Sequence, residues 1–271
     1  MSRAPRWALA LLAVVALAAV AGPLAWPLDP DALVTPLAPN AAPSAAHPLG
    51  LDDASRDVLA RVLHGARISL AFGALAALVA AVAGTAAGLT AALGGPRTDV
   101  AVRTLVDLGL SVPRLLVLIV LTAALGRLPW AALAVAMGAT GWFGLARLVR
   151  ERARAALRED YALAATALGA GRARLAVAHV LPNVRGTVTA AAVLAFGHAV
   201  GLEAALSFIG QGVPIPTASW GGLIGDGRAQ LLVAPWPVVA PTLALVATVV
   251  AAGALADALE HAPPAPGDVP R

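Results

Sequence analysis

The chain is expected to fold as an all-α, polytopic membrane protein with six transmembrane helices, and three features carry that expectation. Hydrophobic residues make up 59% of the sequence and charged residues 13%, where soluble domains carry about 25% charge. The apolar residues fall in long runs with no Asp, Glu, Lys or Arg. The arginines gather in a few segments between those runs.

Residues 7–28, 68–96, 128–146 and 229–256 are charge-free, each near or above the ~18 residues that license a spanning helix. Residues 104–126 contain Asp107 and Arg114, and residues 186–206 contain Glu203. Together these make six spans. None shows the alternation of a membrane barrel strand, and helices satisfy their own backbone groups in lipid. The chain divides into an anchor helix with an extracytoplasmic segment (1–66), a transmembrane domain (67–262) and a disordered tail (263–271).

Composition excludes several classes. Cysteine is absent, which removes disulfides and thiolate metal sites. All 19 basic residues are arginine, so the lysine of a phosphate-binding P-loop is missing and the chain holds no ordinary ATPase site. The pI near 11.1 reports loop charge on a membrane protein, and no nucleic acid partner is expected. His47, His64, His179, His198 and His261 form no zinc motif, and Ser207 and Ser219 have no evident histidine base. The expectation is a non-enzyme with no metal and no cofactor.

Arginine placement sets the topology. Arg3 and Arg6 precede the first span, Arg97 and Arg103 follow the second, and eight arginines from Arg147 to Arg185 lie between the fourth and fifth. Six spans place all three segments, and both termini, on the cytoplasmic side. Ala19-Val20-Ala21 before Gly22 also fits a signal-peptide cleavage site, whereas the apolar run to Trp26 fits a retained anchor.

The segment 159–183, EDYALAATALGAGRARLAVAHVLPN, reads as two short helices. Gly169 and Gly171 break the first, and Pro182 ends the second. By itself this is equally an amphipathic surface helix with arginines at lipid headgroups. In residues 52–57, Asp52 or Asp53 is the expected N-cap of the next helix. Residues 210–221 carry too much Gly and Pro for a long helix and place Trp220 at interface depth. Asp107 and Arg114, seven apart, share a face of the third span, either as an ion pair or as pathway lining. Pro113 kinks that span. Glu203 is either a pathway residue or a solvated helix end.

Ala164-Ala165, Gly169 four residues later and Leu181-Pro182 twelve after that resemble the EAA loop of ABC-importer permeases. The ending His179-Val180-Leu181-Pro182-Asn183 is similar to that of the dipeptide/oligopeptide/nickel branch. Residues 47–70, HPLGLDDASRDVLARVLHGARISL, resemble the branch's segment before the second span, with Ser55 where the family usually has Gly. Residues 203–228, EAALSFIGQGVPIPTASWGGLIGDGR, resemble the segment between its last two spans. Leu163 stands where the family has the Glu of its motif, so no role of that carboxylate is carried over.

The resemblance implies a transport subunit in the inner membrane whose coupling loop, through Ala164, Ala165, Gly169, Leu181 and Pro182, docks on an ATPase. It implies a second permease subunit, two cytoplasmic ATP-binding subunits and an extracytoplasmic substrate-binding protein, all in membrane lipid. Asp107, Arg114, Glu203, Ser207 and Trp220 are the candidate pathway or gate residues. The expected cargo is a peptide or related small solute. Alternatives are nickel or other metal complexes or glutathione on the same scaffold, or, in another class, a non-transport membrane scaffold or sensor.

Overall fold

The structure, a computed structural model, describes residues 5–214 and 216–261. The expected tail, 263–271, and Arg3 lie outside the described residues. Helices dominate: α1 (Arg6–Ala25), α2 (Val58–Leu93), α3 (Pro96–Ser111), α4 (Arg114–Leu125), α5 (Trp130–Ala139), α6 (Phe143–Ala156), α7 (Asp160–Ala167), α8 (Arg172–Arg174), α9 (Leu181–Phe208), α10 (Trp220–Gly227) and α11 (Trp236–Glu260). A π-helical turn, Leu175–Val180, joins α8 to α9. Four helices are long and apolar enough to cross a membrane, and six spans result if each of two bent pairs counts as one.

Those bent pairs go beyond the kink expected at Pro113 in 104–126 and add a bend within 128–146 that the sequence did not suggest. α3 and α4 meet at 82°, and α5 and α6 at 44°. At the first break Val112 is extended, with φ −99° and ψ 127°. Pro113 forbids helical geometry at the residue before it, so what reads as a kink is a full interruption. At the second, Thr140 closes α5 by donating its hydroxyl to the Ala136 and Met137 carbonyls.

α2 organises the bundle. Small residues recur along one stripe at Ala76, Ala80, Gly84 and Gly88, all buried. A Cβ at Gly88 would sit 2.7 Å from the Ala146 carbonyl oxygen, and one at Gly84 would sit 2.9 Å from that of Trp142. Only Gly lets the two backbones approach this closely, the usual device where lipid supplies no hydrophobic drive between helices. Nearer its start, Phe72 packs with Leu118, Leu133, Met137 and Leu206 in the main apolar cluster. α9 and α11 complete the bundle. Val180 and Val184 pack on Ala153, and Gly197 faces the Ala252 methyl group. Large apolar side chains on the outer faces, such as Leu78, Val82, Leu243 and Val250, stay exposed as lipid-facing positions require.

α1 joins through a proline. Pro23 has no N–H to give to the carbonyl four residues back. That carbonyl, Ala19 O, receives Arg67 Nε at 2.7 Å instead, and Val20 O receives Arg67 Nη2 at 2.9 Å. One end of the bundle therefore carries residues 26–57, the α4–α5 turn and residues 209–235. The opposite, arginine-rich end carries the α2–α3 turn and α6 to α8.

The N-cap of α2 corrects an expectation. Asp57, rather than Asp52 or Asp53, accepts from the Ala60 N–H at 2.7 Å. Ser55 explains why: its φ of 64° is left-handed, so the chain is still turning there. This is the position where the family usually has Gly, the residue that enters that region without steric cost.

Candidate functional site

At the arginine-rich end, the segment 159–183 folds as the sequence suggests up to Gly169. α7 closes in a Schellman motif. The Ala170 N–H reaches Ala165 O at 3.0 Å and the Gly169 N–H reaches Thr166 O at 3.0 Å, with Gly169 at φ 84°. The four-residue spacing from Ala165 to Gly169 is thus the spacing of this helix stop. Ala164 and Gly169 are exposed, and Ala165 is half-exposed. Leu163, Leu168 and Val177 are 54%, 89% and 68% exposed. An exposed apolar patch of this kind, with Arg158, Arg172 and Arg174 close by in the chain, marks a surface for protein or membrane contact. Tyr161 stacks on His179 at 6.3 Å and holds α7 against the π turn.

Pro182 does not end the second piece. The chain runs as one helix from Arg172 to Phe208. The wider i→i−5 turn over Leu175–Val180 takes up the proline, whose ring would otherwise meet the carbonyl four residues before it. Asn183 donates its side-chain amide to His179 O at 2.6 Å. Leu181 and Pro182 are therefore the first turn of the fifth span, joined rigidly to it.

At the other end of that span, Glu203 is fully buried and is no solvated end. Ser207 and Ser219 both donate to its Oε1, at 2.7 and 2.8 Å. Ser219 is the N-cap of α10 and also accepts the Gly222 N–H at 3.1 Å. A Cβ on Gly221 would come within 2.5 Å of Ala204 Cα, so α10 packs directly on the α9 backbone. Trp220 is 1% exposed, so its ring packs inside the bundle. Its backbone N–H binds Ser69 Oγ at 3.0 Å, and its indole donates to Val62 O at 3.1 Å. Sequence reasoning named Glu203, Ser207 and Trp220 separately; the structure brings them together through Ser219 and Ser69. The result is a latch fixing the short helix α10 between α2 and α9.

Arg114 and Asp107 do not meet. Arg114 lies beyond the break, where its guanidinium binds Met137 O and Thr140 Oγ1, the latter at 3.4 Å. One side chain thereby spans both interrupted helix pairs. Asp107 is exposed near the arginine-rich end and lines a small cavity with Arg103, Arg147, Arg150 and Glu151. The ion pair expected from their seven-residue spacing fails because the helix stops between them. Ion pairs nearby are made instead by Asp99, held by Arg150 and, at 2.9 Å, by Arg154, and by Glu151 with Arg147 at 3.7 Å.

Residues 47–61 lock onto the bundle through two carboxylates. Asp57 takes the Trp26 indole N–H at 3.2 Å and His47 Nδ1 at 2.7 Å, besides capping α2. Asp52 takes Arg56 Nε at 2.8 Å and Arg61 Nη1 at 2.6 Å, with the Ala54 and Arg56 N–H groups on its other oxygen. Trp236 donates to Leu51 O at 3.0 Å and ties the loop to α11. Burial raises the pKa of Asp226, against the pull of Arg61 at 3.7 Å.

Two expectations follow. Glu203→Leu removes the acceptor of two buried hydroxyls and should destabilise the α9–α10 contact by about 1–3 kcal/mol. Glu203→Gln, which keeps a carbonyl, should lose less. Thermal unfolding in detergent, with protease access to residues 209–219, reads both; equal effects of the two changes would contradict the latch. For Arg114, single and double changes Arg114→Leu and Asp107→Leu should add, because separated sites combine within ~0.5 kcal/mol. A coupling well above that would restore the ion pair.

Comparison with known proteins accords with this architecture. Residues 65–262 match the family described as binding-protein-dependent transport system inner membrane component. The chain is 35% identical over 220 residues to the oligopeptide transport system permease protein OppC of Bacillus subtilis, covering 81% of this chain and 72% of that one. It is 35% identical over 221 residues to the dipeptide transport system permease protein DppC of Alkalihalophilus pseudofirmus, covering 81% and 72%. With the Haemophilus influenzae OppC it shares 33% identity over 216 residues, 80% of this chain and 69% of that protein. A match over most of the chain, on a bundle of interrupted apolar helices, makes this chain a member of the binding-protein-dependent transport system inner membrane component family, a multi-pass ABC-importer permease subunit.

Proposed function

We propose that the chain forms half of the translocation pathway of a peptide importer and is driven through α7 by a separate ATPase. The observation that carries this reading is the continuity of one helix between two surfaces. α8, the π turn and α9 run unbroken from the exposed α7 patch to Glu203 and the α10 latch. The 28 residues of α9 alone measure about 42 Å at ~1.5 Å per residue. Displacement of α7 by a closing nucleotide-bound partner passes across the Gly169–Gly171 turn and the Tyr161–His179 contact, and from Arg172 onward it is delivered to α10 along one continuous helix. This is a two-state switch set by differential contacts. The relatives named oligopeptide and dipeptide permeases support peptides as cargo. A second permease, two ATP-binding subunits and a substrate-binding protein complete the assembly. The arginine-rich end faces the cytoplasm, as the excess of arginine requires.

Ala164 is exposed and helical, so Ala164→Phe adds bulk there without backbone strain. Gly169→Phe adds bulk at a left-handed residue, at a local cost of roughly 1–2 kcal/mol. Both should insert normally, yet lose ATPase association and most uptake in the assembled importer. Wild-type uptake and association in Ala164→Phe would remove the docking proposal.

The cysteine-free chain also reports sidedness. Ala42→Cys should react with an impermeant maleimide in intact cells, and Ala173→Cys only after lysis. External labelling at position 173 would invert the orientation.

A further inference from the structure

A cavity of about 110 Å³ opens at the end of the bundle opposite the arginine-rich one. Its walls are the start of α2, the α4–α5 turn and the segment 207–226, and its charged lining is Arg61, Arg127 and Asp226. Arg61 is 4% exposed. Its Nη1 is fixed on Asp52 at 2.6 Å, while Asp226 stands looser, 3.7 Å from Nη2. Its Nε–H is buried with no acceptor. Arg127, on the opposite wall, is exposed and has no hydrogen bond or ion pair among the described residues.

Two guanidinium groups against one carboxylate leave the lining with one net positive charge. Asp52, behind Arg61, is matched by Arg56 and does not change the sum. Held by Asp52 through Nη1, the Arg61 guanidinium keeps a fixed place at the cavity wall. Guanidinium groups recognise carboxylates through short charge-assisted hydrogen bonds.

We propose that this cavity is a subsite for the terminal carboxylate of the substrate, paired with the exposed guanidinium of Arg127 and flanked by the Asp52-held guanidinium of Arg61. Its single net charge suits a monoanion and disfavours a phosphate dianion. The subsite rests on the peptide reading above. The short helix α10, latched to Glu203, forms one wall through Asp226, so movement of α10 both reshapes the cavity and releases the carboxylate inward.

The test uses Thr217→Cys, a half-exposed position in the cavity wall, as the sole cysteine of this chain in the assembled importer in nanodiscs. Maleimide modification of this chain is followed with trialanine, trialanine amide or inorganic phosphate present. Trialanine should slow modification roughly tenfold or more at saturation, whereas the amide and phosphate should not. Adding Arg127→Gln should abolish that protection and leave the rate without peptide unchanged. Equal protection by the amide, protection by phosphate, or protection surviving in Arg127→Gln would overturn the subsite. Uptake of labelled trialanine, measured in parallel, tests the peptide reading separately. Import without protection sinks the subsite alone. Protection without import sinks the peptide reading and, with it, the assignment of the cavity to a transported carboxylate.

Discussion

At several breaks in the helical ladder of this protein, a side chain takes over a backbone group that the interruption frees. In lipid an unsatisfied N–H or C=O costs several kcal/mol, about as much as many soluble contacts combined. Arg67 serves the Ala19 carbonyl that Pro23 abandons. Arg114 and Thr140 serve Met137 at the end of α5. Asn183 serves His179 beside Pro182, Ser219 opens α10, and Arg228 closes α9 on Phe208 O. The polar residues of the bundle are thus first of all repairs to the backbone, and the functional elements lie where the repairs are.

This gives a physical account of how two distant surfaces belong to one mechanism. α9, like α2, is uninterrupted and stiff because its ladder is continuous. The interrupted stretches are α3–α4, α5–α6 and the segment around α10, each held by a few named hydrogen bonds. Stiff and breakable elements alternate, so under the proposed coupling a push at α7 would travel along α9 to contacts held by a few hydrogen bonds. The intramembrane arginine, unusual in its cost, is placed where both broken spans come together.

Much of this was legible in the sequence. Charge-free runs located the apolar helices because lipid demands length and permits no charge, and the Ala165-to-Gly169 spacing gave the stop of α7 because a left-handed cap has one geometry. The breaks were less legible. Pro113 marked a disturbance, but its local chemistry does not distinguish a kink from an 82° turn; packing decides that. Counting seven residues from Asp107 to Arg114 assumed an unbroken helix and failed for that reason. Pro182 misled in the opposite sense, since a π turn absorbs a proline that an α turn rejects. Glu203, Ser207, Ser219 and Trp220 could be picked out one by one, but not their convergence with Ser69, 151 residues from Trp220 in the chain. Ser55, a departure from the family's Gly, became intelligible only through its positive φ.

The 36 residues of α2 make a rod of about 54 Å at ~1.5 Å per residue, well beyond the ~30 Å of a bilayer's hydrocarbon core. Such a rod is a lever. With its glycine stripe clamped on α6 near one end, a rocking of α6 turns α2 about that clamp. The far end, bearing Asp57, Arg61 and Arg67, then sweeps a longer arc than the motion that caused it. Loop 26–57 and α1 are bonded to that end through Asp57 and Arg67 and would be carried with it, so length alone would supply amplitude.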